Sequence, residues 1–522
     1  YCSQDYQILE KTNGIKIVRS IMKNPIKALA GQTVIYGLGT IVPRLLNYLL
    51  TPFYVRVFVS GEYGQISELY AWIALLLAIL TFGMETTFFR FSQKEDSGKV
   101  FNNAETIVLL ITAIFLILYG FFYKSFAELI HYEFNTHYVL LLGIIVAIDA
   151  AAAIPFAMLR KENKAGRFSL IKTLNVLTNI FFNILFLVII PEKSMMIAGR
   201  IFGEQTSLLI WVFISNILAS LLNLILLSPQ LSRLRISLDK ELIVPMLKYS
   251  FPILLISLVG MVNEVADKIL IKYLVTIPDE TTLAMMNITG EEYAMQQLGI
   301  YSANFKLGVL MTIFIQMFRF ASEPFFFGHA KDRNAPTLYA KVMTYFVIFC
   351  LLIFLGVMFY MDILQHFVGR NGSDYREGLR IVPIILIANM FYGIVFNLSI
   401  WFKLSDKTYY GTIIAVIGSI VTLLCFFILI PRIGYMGAAI AHLACYTVMM
   451  SVSYFWGQRI MPIPYQIGRI TIYCIVAAIL FFVSTLTSEM SALLKLSLNT
   501  MMILMFLGIV FIMERKNPLK IE

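Results

Sequence analysis

Six basic residues, Arg44, Lys172, Lys268, Lys272, Lys306 and Arg319, stand inside long apolar runs, joined there by Glu85, Asp149, Glu264, Asp267 and Glu323. An ionised group at the centre of a membrane helix costs about 2.5–3.5 kcal/mol on insertion scales, so such groups pair or line a wet cavity. The chemistry they offer is binding. Guanidinium and ammonium groups make charge-assisted bonds to phosphate oxygens, and intramembrane carboxylates mark ion and proton paths. No nucleophile stands beside a base, no metal-ligand spacing occurs and no Walker A loop is present. No catalytic residue, metal site or cofactor is therefore expected beyond Na+ or H+ coupling, and the chain does not read as an enzyme.

The spacing is helical. Thr33, Tyr36, Thr40, Arg44, Asn47 and Thr51 recur every three or four residues. Ser67, Tyr70, Ala74, Thr81 and Glu85 share a second face, with Arg90 beyond it. Glu264, Lys268 and Lys272 make a third, flanked by Asn263 and Asp267, and Thr312, Gln316, Arg319 and Glu323 a fourth, preceded by Lys306. Each set falls on one side of a helix, and four such sides can enclose one charged cavity. The expected cavity residues are Arg44, Asn47, Tyr70, Glu85, Arg90, Glu264, Asp267, Lys268, Lys306, Gln316, Arg319 and Glu323. Glu85, Asp149, Glu264 and Asp267 are the expected coupling-ion ligands. A plainer reading stands beside this one. Glu264 and Lys268, and Arg319 and Glu323, are i,i+4 partners that can form structural ion pairs, and Lys272, Arg90 and Glu323 can snorkel to an interface. Asp149 and the stripe Lys172, Asn175, Asn179, Asn183 read as a bundle pair or an ion relay, and His442 as a hydrogen-bonded core histidine.

The elements that carry these faces follow from composition. The chain has 522 residues, 59% apolar and 14% charged, with a mean hydropathy of +0.80; soluble domains run near 45–50% and about 25%. That excludes a soluble enzyme, a disordered chain and a disulfide scaffold, and the long runs do not alternate as an outer-membrane barrel would. The five cysteines lack CxxC spacing. An all-α membrane protein remains, with spans of about 20 residues each. Fourteen spans are expected near 29–55, 63–89, 105–123, 137–159, 168–190, 206–228, 249–272, 297–326, 342–361, 381–402, 408–430, 435–457, 470–487 and 496–513. Residues 1–28 form an expected cytoplasmic N-terminal segment with no signal-peptide core; those before Met22 are expected to be dispensable. Residues 29–228 form an N-lobe, 229–248 a polar connector, 249–457 a C-lobe, and 458–522 a final helix pair and tail. A short internal echo supports two lobes: Glu62-Tyr63-Gly64 and Phe89-Arg90-Phe91 against Glu292-Tyr293-Ala294 and Phe318-Arg319-Phe320.

Of the 41 Lys and Arg residues, 26 flank spans on the side of the N-terminus, nine flank the other side and six lie within spans. Basic residues collect on cytoplasmic loops, so both termini are expected inside. The net charge of +10 is spread over many loops instead of one patch, which excludes nucleic acid as a partner.

The stretch GQTVIYGLGTIVPRLLNYLLTPFYVRVFVSGEYGQISELYA at 31–71, followed by LTFGMETTFFRF at 80–91, resembles the start of Wzx-type polysaccharide flippases of the multidrug/oligosaccharidyl-lipid/polysaccharide (MOP) superfamily. The resemblance implies two six-span lobes in a V, with spans one, two, seven and eight around the cavity and the last two spans beside the lipid tail. It implies a bacterial inner-membrane protein that moves polyprenyl-pyrophosphate-linked oligosaccharide outward for O-antigen, capsule or lipopolysaccharide synthesis. A polysaccharide polymerase and glycosyltransferases are its expected partners. Arg44, Lys268, Lys306 and Arg319 would then meet the phosphates, and Tyr36, Tyr70, Tyr301 and Asn47 the sugars. The alternative is a cation-coupled multidrug antiporter on the same fold, which would favour an acidic cavity. In the four cavity spans cations match or exceed acids, which favours an anionic cargo.

Overall fold

The computed structural model describes residues 41–203, 206–487 and 490–516. The expected N-terminal segment, Thr33, Tyr36 and Thr40 lie outside them. Residues 41–48 are helical and lead to α1 (Thr51–Val57), α2 (Ser60–Thr81), α3 (Met84–Phe91), α4 (Ser97–Leu129), α5 (Thr136–Lys161), α6 (Ala165–Ile184), α7 (Pro191–Phe202) and α8 (Ile210–Leu226). A connector follows, then α9 (Lys240–Leu274), α10 (Gly290–Phe305), α11 (Val309–Gly328), α12 (Ala335–Phe359), α13 (Val382–Leu398), α14 (Tyr409–Ile433), α15 (Tyr435–Ile460), α16 (Ile467–Leu486) and α17 (Ala492–Lys516). No strand occurs among the described residues.

Twelve helical stretches among the described residues are long and apolar enough to cross a membrane, against the fourteen expected. The difference lies at two places. Helix α8 has 17 residues, and the first expected span begins outside the described residues.

Local chemistry sets several boundaries. Asp96 caps α4 by accepting from the Lys99 N–H at 2.9 Å, and Thr289 and Glu292 close a reciprocal capping box on α10. The expected second span is broken by Phe82 and Gly83, both left-handed at φ 50° and 66°. A β-carbon on Gly83 would stand 2.9 Å from the Ile253 Cγ2 of α9, so glycine serves both the turn and the close approach. Pro155, Pro245 and Pro252 sit inside helices.

Helix α9 is longer than its expected span, because Asp239 caps it by accepting from the Glu241 N–H; the latter half of the polar connector is therefore helix. What remains is strapped to α4. Backbone N–H groups of Arg235, Ser237 and Asp239 donate to side-chain oxygens of Asn102, Thr106 and Asn103 at 3.0, 3.3 and 2.9 Å. Helix α9 packs on α2 and α3 as well as on α10 and α14. Helices α16 and α17 lean on α12, tied by Asn499 donating to the Phe359 carbonyl at 2.7 Å and Tyr473 donating to Glu514 at 2.7 Å.

The two halves meet tightly at the bundle end that holds Ser60 and Gly290. There α2 crosses α10 through glycine: a β-carbon on Gly64 would collide with the Met295 carbonyl, and one on Gly299 with the Ser60 carbonyl. Ser60 donates to Asp374, and Tyr375 donates to the Phe58 carbonyl at 2.9 Å. Lys272 does not snorkel. It is 6% exposed, donates to the Ile130 carbonyl at 2.7 Å, and lies 3.6 Å from Glu68 and 3.4 Å from Glu291. Tyr132 donates to the same Glu68 at 2.9 Å. By contrast α11, the second half of the expected eighth span, packs on α12 and α13 of its own lobe.

Candidate functional site

Two adjoining cavities lie between the lobes. The smaller, about 440 Å³, is lined by Asn47, Tyr54, Tyr70, Asn179, Asn216, Glu264, Lys268 and Lys306, among others. The larger, about 730 Å³, runs along the N-lobe past Glu85, Asp149, Arg160, Lys172, Asn175 and Asn223. Asn47, Asn179 and Asn216 line both.

The smaller cavity carries two ammonium groups, Lys268 and Lys306, and one carboxylate, Glu264. Lys268 turns away from the Glu264 carboxylate expected as its i,i+4 partner. Its Nζ bonds the Glu264 carbonyl at 3.2 Å and both oxygens of Asp267 at 3.1 and 3.3 Å, and it lies 4.8 Å from the Phe305 ring centre. Lys268 stands close enough for its charge to act on Lys306. Among the described residues no carboxylate is within ion-pair distance of Lys306. A bare ammonium facing a cavity invites an anion.

Asp267 lies behind this wall, with no exposed surface. It accepts from Tyr301 at 2.6 Å and contacts His442 Nε2 at 3.0 Å. His442 is thus hydrogen-bonded core, as its isolation in the sequence indicated, and Tyr301, expected against sugar, spends its hydroxyl on Asp267. Removing the carboxylate would strand Lys268, Tyr301 and His442. Asp267→Ala is expected to cost roughly 3–5 kcal/mol, read as a lower unfolding temperature in detergent, whereas Glu264→Ala should leave that temperature near wild type.

The other expected site residues are spread further. Asn47, Tyr70, Glu264, Lys268 and Lys306 line the smaller cavity, and Glu85 and Asp149 the larger. Arg44 is exposed and does not line either. With Glu264 and Arg319 it lies within electrostatic reach of Tyr392. Arg90 lies 4.0 Å from the Tyr249 ring centre. Gln316 is half-buried on α11 and lines neither cavity. Arg319 and Glu323 pair at 3.3 Å, Lys403 joins Glu323 at 2.6 Å, and the group encloses a separate small pocket. Its guanidinium covers the Phe396 ring at 4.6 Å, so this constellation has its own counter-charges in place.

Sequence reasoning did not include Arg160, Asn216, Ser220 and Asn223. Arg160 bonds Glu85 across the larger cavity. Asn216 donates to the Tyr70 hydroxyl at 3.0 Å, and Ser220 donates to Asn216 at 3.3 Å. The signal was there as Asn216, Ser220 and Asn223 at spacings of four and three on an apolar helix. The span-five stripe is also a cavity wall: Asn175, Asn179 and Lys172 line it, while Asn183 donates to Asn179 at 2.9 Å and accepts from Tyr54 at 3.1 Å.

No curated protein matches the chain by sequence. Among solved structures it is similar to one described as lipid II flippase MurJ in an inward closed conformation, with a TM-score of 0.70, 16% identity and coverage of 92% of this chain and 99% of that one. It is also similar to a multidrug resistance MATE family transporter of the MOP superfamily in inward-facing (TM-score 0.58, 13% identity, 82% of this chain and 97% of that one) and outward-facing (TM-score 0.54, 15% identity, 86% and 98%) conformations. These likenesses establish the fold, which the chain shares with both proteins. A family model described as polysaccharide biosynthesis protein matches residues 29–328, and the chain belongs to that family.

Proposed function

We propose that the protein moves a polyprenyl-pyrophosphate-linked oligosaccharide from the cytoplasmic to the outer leaflet of the bacterial inner membrane, for surface polysaccharide or lipopolysaccharide synthesis. The observation that carries this reading is Lys306, uncompensated among the described residues, beside Lys268 in a cavity between two lobes, in a chain of the polysaccharide biosynthesis family. The lobes are clamped at the Ser60 end, which the basic-residue bias assigns to the outside. The headgroup enters from the cytoplasm, the tail stays in lipid, and the lobes rock to open the Ser60 end. With the inside negative, each anionic charge moving outward gains about 2.3 kcal/mol per 100 mV. Of the acids expected to bind a coupling Na+ or H+, Glu264 lines the smaller cavity, and Glu85, bonded to Arg160, and Asp149 line the larger. A polymerase and glycosyltransferases would act on either side of the transport step.

A cation-coupled drug antiporter is the rival on the same fold, and it needs a cavity that attracts cations. Deleting the protein separates the two. The flippase reading expects lipid-linked glycan to accumulate on the cytoplasmic leaflet and surface polysaccharide to be lost. Normal surface polysaccharide together with drug sensitivity would replace it with the antiporter.

A further inference from the structure

The two cavities differ in chemistry, and the difference gives the bound headgroup a direction. In the larger one the charges cancel. Glu85 is bonded to Arg160, and Asp149 interacts with Lys172, whose ammonium lies 4.0 Å from the Phe156 ring centre. An anion gains little there and meets two carboxylates. The remaining polar wall is amide and hydroxyl: Asn175, Asn179, Asn216, Ser220 and Asn223. An amide offers two donors and an acceptor, which suits sugar hydroxyl and acetamido groups. Asn223 is 5% exposed, and among the described residues its Oδ1 has no partner. The smaller cavity differs in its Lys306, which has no ion-pair partner among the described residues; Lys268, held by Asp267, and the Glu264 carboxylate share its lining. Asn47, Asn179 and Asn216 line both, so a single ligand can occupy the two at once.

Resting on the flippase reading, we propose that the headgroup binds in one orientation. Its pyrophosphate lies against Lys268 and Lys306, and its first sugars, which carry no net charge, lie against the asparagine wall of the N-lobe chamber. Helices α6 and α8 therefore select the glycan, while α9 and α10 with the Lys306 turn hold the feature common to all such lipids. The larger chamber reaches Glu85 and Arg160, towards the Phe91 end, so the phosphate lies deeper than the sugar and leads the way out.

The test uses full-length protein in nanodiscs and two probes: bare polyprenyl pyrophosphate, and the lipid-linked glycan that accumulates when the protein is deleted. Asn175→Ser and Asn223→Ser, made separately, are expected to weaken glycan-lipid binding about five- to tenfold, as for one or two lost neutral hydrogen bonds. Binding of bare pyrophosphate should be unchanged, and that binding reports correct folding in the same sample. Lys306→Gln is expected to weaken both probes alike. Equal weakening of both probes by the asparagine variants, or no effect on either, overturns the assignment of the glycan to this chamber. A wild-type protein that binds neither probe overturns the flippase reading itself.

Discussion

Replacing Lys268 and Lys306 together with glutamine is expected to lower transport about a hundredfold or more, with the protein still inserted and folded. The lysines face a cavity between the lobes, and each charge-assisted bond to a phosphate oxygen contributes about 1.5–3 kcal/mol. Losing two removes at least about 3 kcal/mol, and each 1.4 kcal/mol is tenfold in affinity. The singles should not be equal. Lys268 is already held by Asp267, so its loss also unbalances a buried carboxylate, and Lys268→Gln should lower the unfolding temperature. Lys306 has no such partner among the described residues, and Lys306→Gln should reduce transport with little change in stability. Appearance of glycan at the cell surface, with membrane abundance as control, measures the first; unfolding in detergent measures the second. Unimpaired display in the double variant would remove the phosphate-binding role.

Joining the lobes at the Ser60 end is expected to abolish transport reversibly. A β-carbon built on Gly61 stands 3.9 Å from the Met295 Cβ, within the 3.5–4.5 Å that a disulfide requires. The double variant Gly61→Cys/Met295→Cys should therefore crosslink under mild oxidation and stop transport nearly completely, with recovery on reduction. The surroundings favour the closed arrangement: Gly64 and Gly299 let α2 and α10 touch backbone to backbone, and Lys272 bridges both lobes. Lys272→Met would leave Glu68 buried without its cation, at a cost of roughly 3–5 kcal/mol, and should reduce the crosslinking yield. Full transport by a completely crosslinked protein would mean that this end does not open.

Much of this plan is legible in the sequence, and the physical reasons differ by feature. Helical spacing exposed the Lys268 face, the Lys172–Asn183 stripe and the Tyr70 face, because polar residues in apolar helices have few places to go. The left-handed break at Phe82 and Gly83 lies inside the expected second span and was not read from LTFGMETTFFRF. Spacing does not say which partner a side chain chooses. Glu264 and Lys268 are correctly placed for an ion pair, yet Lys268 turns to its neighbour Asp267, since Asp267 is the buried acceptor that also holds Tyr301 and His442. Arg319 and Glu323 share the stripe of α11 and pair there, but Glu323 also takes Lys403 from a helix eighty residues on. Lys272 looked terminal in its span, and only the other lobe's Glu68 and Ile130 make it interior. Local periodicity gives the face; the opposing lobe decides what that face meets.

The strapping of residues 235–239 onto α4 bears on how the gene could be divided. The polar connector looks like the natural place to cut, but it is fastened to the first half, and α9 serves both halves, resting on α2 as well as on α14. A fragment starting at α9 would carry off a helix that the first fragment needs, and one ending before it would leave the α2 face bare. A cut within residues 279–289, on the short helix Glu280–Met286, whose Met285 is 88% exposed, keeps α9 with the first half. Coexpressed fragments divided there are expected to reassemble into a working transporter, and fragments divided at Arg233 to do so poorly, as judged by copurification of one fragment with the other.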